Sequence, residues 1–311
     1  MKILFMGSPD FAVVSFEALC RAGHEILGVV SVPDKPKGRG KKLTPTPVKV
    51  AAEQKGIPVY TPVTLRDGAF LGVLEELKPE VIVVVAYGKI LPKYVLDYPK
   101  YGCFNVHGSL LPEYRGAAPM QRAIIDGKEK TGVTVQYMAE GIDTGDMLLK
   151  KEYEIASDDD FEAVHDALAA LGGEAICEVL DMAADGTLVR EAQDDSLSCY
   201  AEKITKEECL LDFSESALTL HNKIRGMSPF PLAFTHLPDG TLLKIVKAKV
   251  SKKAKGTHKN GEVLSLEDGV ISVVCGDGVL DVICVLPEGK GRMAAADFIR
   301  GRRIKEGDVL A

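Results

Sequence analysis

The sequence predicts an α/β protein, a mostly parallel open sheet with helices on both faces, followed by a small β-barrel. Three observations carry that expectation. Short apolar runs alternate with helix-period segments through the first half of the 311 residues. The run 81–86 (VIVVVA) is nearly all β-branched, as a strand covered on both faces requires. Beyond about Lys203, apolar runs are punctuated by Asp239-Gly240, Asn260-Gly261, Asp268-Gly269 and Asp277-Gly278, dipeptides that favour hairpins.

In chain order, residues 3–6 read as a short buried strand. Ser8 suits a helix N-cap and Pro9 a first helical position, ahead of apolar spacing over 11–19 that Gly23 ends. A strand follows over 25–32, then helices near 47–55 and 68–77, then the strand at 81–86. Strands separated by helices of this length imply right-handed crossovers and a parallel sheet. Residues 131–155 have strand character and about 161–183 read as a helix. The pattern weakens into Gly, Asp and Ser over 184–198. A helix at 216–226 leads into about five or six strands. The expected organisation is a catalytic domain over 1–184, a linker over 185–204 and a C-terminal domain over 205–311.

Apolar residues make up 46% and charged residues 27%, the balance of a soluble globular chain rather than a disordered or collagen-like one. The longest uncharged apolar run, 81–88, falls well short of the ~20 residues that span a bilayer. A cytoplasmic location with no membrane partner is expected. Seven cysteines, nowhere spaced C-x-x-C, suggest neither a disulfide framework nor a zinc site, and read as buried thiols. The net charge of −7 hides an asymmetry: residues 203–311 carry +3 and residues 1–202 carry −10. Seven lysines and no acid lie between Lys244 and Lys259. Such asymmetry hints at a polyanionic partner.

Ligands of an open parallel sheet bind beyond the carboxyl ends of its strands, so the loops at 7–10, 86–92 and 105–116 draw attention. No G-x-G-x-x-G follows the first strand, and no P-loop is found. Asn105 and His107 sit at strand period, so both side chains can point the same way. An amide and a protonated imidazole could face one developing oxyanion. Gly141-Ile142-Asp143-Thr144-Gly145-Asp146 reads either as a tight polar turn or as a loop presenting the Asp143 carboxylate to orient His107 and accept a proton. Asn, His and Asp around a strand-end crevice suit acyl transfer to an amine without a covalent enzyme intermediate. Glu113 and Tyr114 are expected in a solvated turn, and Arg115 near an anion. The segment 33–49 holds Lys35, Lys37, Arg39, Lys41, Lys42 and Lys49 against Asp34 alone, with interspersed Gly and Pro, as a mobile phosphate-reaching arm would.

These motifs resemble the formyltetrahydrofolate-dependent formyltransferases. The resemblance runs through 5–11, 33–47, 85–88, the block 105–125 with its N-x-H-x-S-L-L-P, the D-T-G-D at 143–146, and 200–204 and 224–231. It implies a Rossmann-like catalytic domain followed by an oligonucleotide-binding (OB) type barrel. It also implies transfer of a formyl group from 10-formyltetrahydrofolate to the α-amine of methionine on initiator methionyl-tRNA, with no metal. By the same resemblance Asn105, His107 and Asp143 are catalytic, Ser109, Leu110, Leu111 and Pro112 lie at the folate, and residues 87–91 help form the pterin pocket. Lys35, Arg39, Lys41, Lys42 and Lys203 are expected at the tRNA, and a monomer is favoured. The family often carries Trp where this chain has Phe213 and Phe230, so both phenylalanines are expected in the core. Alternatives are a formyltransferase acting on an amino sugar nucleotide and a non-catalytic RNA-binding protein. The basic arm and the lysine-rich C-terminal region favour tRNA over a sugar nucleotide.

Overall fold

The alternation of strand and helix is realised along the chain in a computed structural model that describes residues 1–37, 40 and 42–311. β1 (Lys2–Gly7), α1 (Asp10–Arg21) and β2 (Glu25–Val30) are followed by two short strands, β3 (Lys35–Lys37) and β4 (Lys42–Thr44). Next come α2 (Pro47–Gln54), β5 (Val59–Tyr60), α3 (Leu71–Leu77), β6 (Val81–Val85), α4 (Lys93–Leu96), β7 (Cys103–His107) and β8 (Arg115–Gly116). α5 (Pro119–Ile125), β9 (Lys130–Tyr137), β10 (Met147–Glu154), α6 (Phe161–Asp185), β11 (Tyr200–Ala201) and α7 (Ala217–Gly226) continue the chain. The remaining elements are β12 (Ala233–His236), β13 (Leu242–Val250), β14 (Val263–Ser265), β15 (Ile271–Val274), β16 (Val279–Pro287), β17 (Met293–Ala294) and α8 (Ala295–Arg300).

Two compact units interleave in sequence. Met1–Gly116, Thr131–Tyr153 and His165–Ala201 form one; Ala117–Lys130, Glu154–Val164 and Glu202–Ala311 form the other. The first is built on a seven-stranded sheet in the order β10-β9-β7-β6-β1-β2-β5. β1 is parallel to β2 and β6, and β6 to β7, while β9 runs antiparallel to β7. The sheet is therefore mostly parallel, as expected. All five residues of β6 are buried, which is why its β-branched run shows no alternation. One core cluster gathers Leu4, Met6, Val30, Phe70, Leu74, Ile82, Val84 and Tyr87.

The first helix begins one residue later than the sequence suggests. Pro9 occupies the cap position, and Ser8 does not cap. The Ser8 hydroxyl instead lies 3.4 Å from Tyr87 O, tying the β1 loop to the β6 loop. α2 is capped as its sequence implies: Thr46 Oγ1 accepts the Lys49 N–H, with Pro47 at the first helical position. The strand-like region 131–155 divides into β9 and β10, and residues 138–146 form a loop between them. The weak segment after α6 is tied down, since Met147 and Glu191 exchange backbone hydrogen bonds and β11 pairs with β8.

In the second unit an antiparallel sheet, ordered β12-β13-β16-β15-β14 with β17 on β16, curls around a core. Leu220 and Ile224 of α7, Val273, Leu280, Val285 and Phe298 belong to that core. Three of the four dipeptides sit in hairpin turns between paired strands. Asn260-Gly261 instead lies in the connection from β13 to β14, which do not pair, and there the Gly261 N–H donates to Val274 O while Gly261 O accepts the Leu310 N–H. Phe213 is buried, but Phe230 is 76% exposed, so the expectation of a core Phe at 230 fails. Phe230 lies between Pro229 and Pro231 in the turn after α7, outside any element with an inward face. All seven cysteines are free, and Cys199 is exposed rather than buried.

Candidate active site

Strand order in the first unit places a topological switch between β1 and β6: from β1 the chain proceeds to β2 and β5, then returns to β6 on the other side. Gly7 pairs with Val85 there, at the carboxyl ends of both strands. β7 lies next to β6, and Asn105 and His107 fall among its last three residues. In register with them on antiparallel β9 stand Gln136 opposite Asn105 and Thr134 opposite His107. Because side chains alternate along a strand, these four project from one face.

Asp143 reaches that face from the loop between β9 and β10. The loop closes through the Tyr137 N–H donating to Asp146 O at 2.8 Å. Gly145 is required at this closure: a side chain there would run into the carbonyl oxygen of Tyr137. Asp143 itself adopts φ 52°, a left-handed conformation that Asp tolerates better than most residues. Its Oδ2 accepts the Gly116 N–H at 2.9 Å and lies 3.5 Å from His107 Nδ1. Its Oδ1 accepts the Gln136 Nε2–H at 2.8 Å.

His107 is buried, with Nε2 2.9 Å from Tyr114 O. A carbonyl only accepts, so Nε2 carries a hydrogen, and Nδ1 is the nitrogen that faces Asp143. The Asp143 carboxylate lies beside Nδ1. At 3.5 Å that contact is longer than a well-formed hydrogen bond, so Nδ1 is not locked to its partner. The Asn105 amide is half-buried and makes no hydrogen bond with the described residues.

The S-L-L-P segment forms the turn that supplies Tyr114 O. Ser109 Oγ donates to Glu113 O at 2.7 Å, Thr134 Oγ1 donates to Ser109 O, and the Leu111 N–H donates back to Thr134 Oγ1. Ser109 and Leu111 are buried in that network, whereas Leu110 and Pro112 are half-buried. Tyr114 is 6% exposed, at φ 58°, so the solvated turn expected for it is a packed one. Arg115 is also spent inside the protein, donating to Gln193 Oε1 and Asp195 Oδ1. Gln193 in turn donates to Asp143 O and Gly145 O, bolting the carboxylate loop in place.

In the β6 loop, Tyr87 is buried and its hydroxyl has no hydrogen-bond partner among the described residues; burial pushes its phenol up to about 12. Lys89 donates to the carbonyls of Pro62 and Val63, and desolvation lowers its ammonium from the ordinary range. The basic arm is an antiparallel ribbon of β3 on β4, with Lys35 and Lys42 exposed. Lys49 pairs with Asp34 at 2.9 Å. Arg39 and Lys41 lie outside the described residues. Lys203 is exposed in the second unit. Among the described residues, no three His, Cys, Asp or Glu side chains could hold a metal ion.

Asn105, His107 and Asp143 thus share one face, as the motif spacing predicts. Thr134, Gln136 and Gln193 escaped the sequence reading. The strand period of 134 and 136 could have found the first two, but nothing in the Asp- and Ser-rich stretch around Gln193 distinguishes it.

Comparison with known proteins bears on what such a site does. A formyl transferase family model matches residues 1–180, and a formyl transferase C-terminal domain model matches residues 203–303. The methionyl-tRNA formyltransferase of Citrifermentans bemidjiense is 47% identical over 310 residues, covering 100% of this chain and 96% of that protein. That of Caldanaerobacter subterraneus subsp. tengcongensis is 46% identical, with 100% of both covered. Among solved structures, HypX from Aquifex aeolicus in complex with tetrahydrofolic acid aligns at TM-score 0.65 and 18% identity, covering 98% of this chain and 48% of that one. An N-formyltransferase from Helicobacter canadensis in complex with folinic acid and dTDP-3-aminofucose aligns at TM-score 0.65 and 19% identity, covering 91% and 98%. These structural likenesses speak for the fold; the full-length identities speak for the family. The chain belongs to the formyl transferase family, alongside the methionyl-tRNA formyltransferases that match it from end to end.

Proposed function

We propose that this enzyme transfers the formyl group of 10-formyltetrahydrofolate to the α-amino group of methionine on initiator methionyl-tRNA, supporting translation initiation. The observation that carries the reading is the full-length identity to methionyl-tRNA formyltransferases, joined to the gathering of Asn105, His107 and Asp143 on one face. In the reaction the neutral amine nitrogen bonds to the formyl carbon, the carbon–N10 bond breaks, and the proton lost by the amine ends on N10. Negative charge develops on the formyl oxygen during attack. The unengaged Asn105 amide donates an N–H to that oxygen, and the His107 imidazolium supplies positive charge beside it. Asp143 holds that imidazolium and receives the amine proton, directly or through water.

The segment Ser109, Leu110, Leu111 and Pro112 borders the folate, with Leu110 and Pro112 offering the accessible surface. Lys35, Lys42, Arg39 and Lys41 of the arm, with Lys203 of the second unit, contact the tRNA backbone. The protein acts as a cytoplasmic monomer without a metal, its catalytic domain spanning 1–184, its linker 185–204 and its tRNA-binding domain 205–311. The test supplies formyl donor with either charged initiator tRNA or an amino sugar nucleotide and follows which acceptor is N-formylated. His107→Ala and Asp143→Asn are expected to lower kcat on the tRNA by roughly 10²–10³. Formylation of the sugar alone, or near-normal turnover by these variants, overturns the reading.

A further inference from the structure

We propose that Gln136 is a positioning residue for the reaction: its amide N–H grips Asp143 Oδ1 and so aims the other carboxylate oxygen at His107. This rests on the catalytic reading of Asp143 given above. The Gln136 Nε2 to Asp143 Oδ1 bond is 2.8 Å, while Asp143 Oδ2 accepts the Gly116 N–H and lies beside His107 Nδ1. Each carboxylate oxygen thus has its own donor, and rotation of the carboxylate would break one or both bonds. Gly116 supplies a backbone donor, which every residue but proline would provide; Gln136 supplies one through its side chain.

Packing alone does not account for a glutamine at this place. Gln136 is 2% exposed, on the face of β9 opposite to that of the fully buried Val133 and Val135. Its Oε1 is buried and has no hydrogen-bond partner among the described residues. A buried, half-satisfied amide is destabilising relative to an apolar side chain of the same length. Residues that break the packing rule without a compensating gain in stability point to function. The gain here is the N–H on Asp143.

The groups facing Asp143 are His107 from β7, the Gly116 N–H from β8, Gln136 from β9, and Gln193, which carries Arg115 and through it Asp195; Asp146 is close along the loop. Gln136→Met keeps length and removes the donor. It is expected to lower kcat about tenfold on methionyl-tRNA, leave KM for the formyl donor within about twofold, and leave Tm unchanged or raised. Gln136→Glu places two carboxyls on one hydrogen bond, so one of them retains a proton. Its O–H then replaces the amide donor, and relative activity is expected to recover as pH falls from about 8 to about 6, whereas Gln136→Met shows no such recovery. If Asp143→Asn is inactive while Gln136→Met keeps kcat within twofold of the parent, the positioning role is overturned and the catalytic reading stands. If Asp143→Asn is itself active, the catalytic reading fails first. A Gln136→Met loss accompanied by an equal loss of folding stability also overturns the proposal, since it makes the role structural.

Discussion

At the scale of single residues, the site is held by short-range hydrogen bonds whose loss leaves buried groups unpaired. Thr134 is the clearest case. Its hydroxyl is fully buried, donates to Ser109 O and accepts the Leu111 N–H, pinning the turn that presents Tyr114 O to His107. Thr134→Val keeps shape but strands a buried N–H and a carbonyl, and is expected to destabilise by about 1–3 kcal/mol in denaturant unfolding. Gly145→Ala meets backbone rather than a movable side chain. It is expected to lower Tm and, by displacing Asp143, kcat together; a Tm within about 1 °C of the parent would contradict the packing argument.

At the scale of elements, helix ends and inter-element pairs obey local rules that the sequence displays. Ser216 Oγ accepts the Thr219 N–H at the start of α7, and Ser216→Ala is expected to cost about 1 kcal/mol by thermal or chemical unfolding. Within the second unit, Arg122 of α5 donates to both carboxylate oxygens of Glu208. That hydrogen bonding holds Glu208 below the usual glutamate range, against a smaller opposing effect of burial. A depressed carboxyl stabilises the fold above its unfolded pKa of about 4.3, and the gain disappears as pH falls through the lower folded value. Glu208 is partly exposed, so solvent screening keeps its contribution under about 1 kcal/mol. The stability difference between the parent and Glu208→Gln is therefore expected at pH 7 and should vanish in strong acid. The legibility of elements was uneven for a physical reason. The buried run of β6 and the Thr46-Pro47 start of α2 carry their signals locally, whereas Ser8 looked like a cap because its tertiary partner, Tyr87 O, is 79 positions away.

For the whole molecule, charge and thiol accessibility give two further expectations. If the ribbon of β3 and β4 meets phosphates, Lys35→Ala and Lys42→Ala should each weaken tRNA binding and flatten its log–log salt dependence by roughly one counterion per contact. An unchanged salt slope would remove the arm from the tRNA interface. Among the thiols, burial pushes Cys275 up to about 12 and raises Cys103 further, while Cys199 is exposed. Alkylation of the native protein should therefore modify Cys199 ahead of Cys103 and Cys275, which should react only on unfolding. No helix among the described residues is long and apolar enough to cross a membrane.

The α/β alternation, the barrel-like second region and the face shared by Asn105 and His107 are legible in the chain's residues, because periodicity and turn chemistry act over a few positions. Asp143 is marked there too, through the glycines its loop needs. The folded molecule adds that Gln136, Gln193 and Gly116 hold that carboxylate, that His107 Nε2 faces Tyr114 O, and that Arg115 is occupied internally. Those outcomes depend on donors and acceptors separated by up to 80 positions finding each other within hydrogen-bond range. Such pairing leaves no period in the sequence, since the strand register and loop closure that create it are set by the packing of the whole sheet.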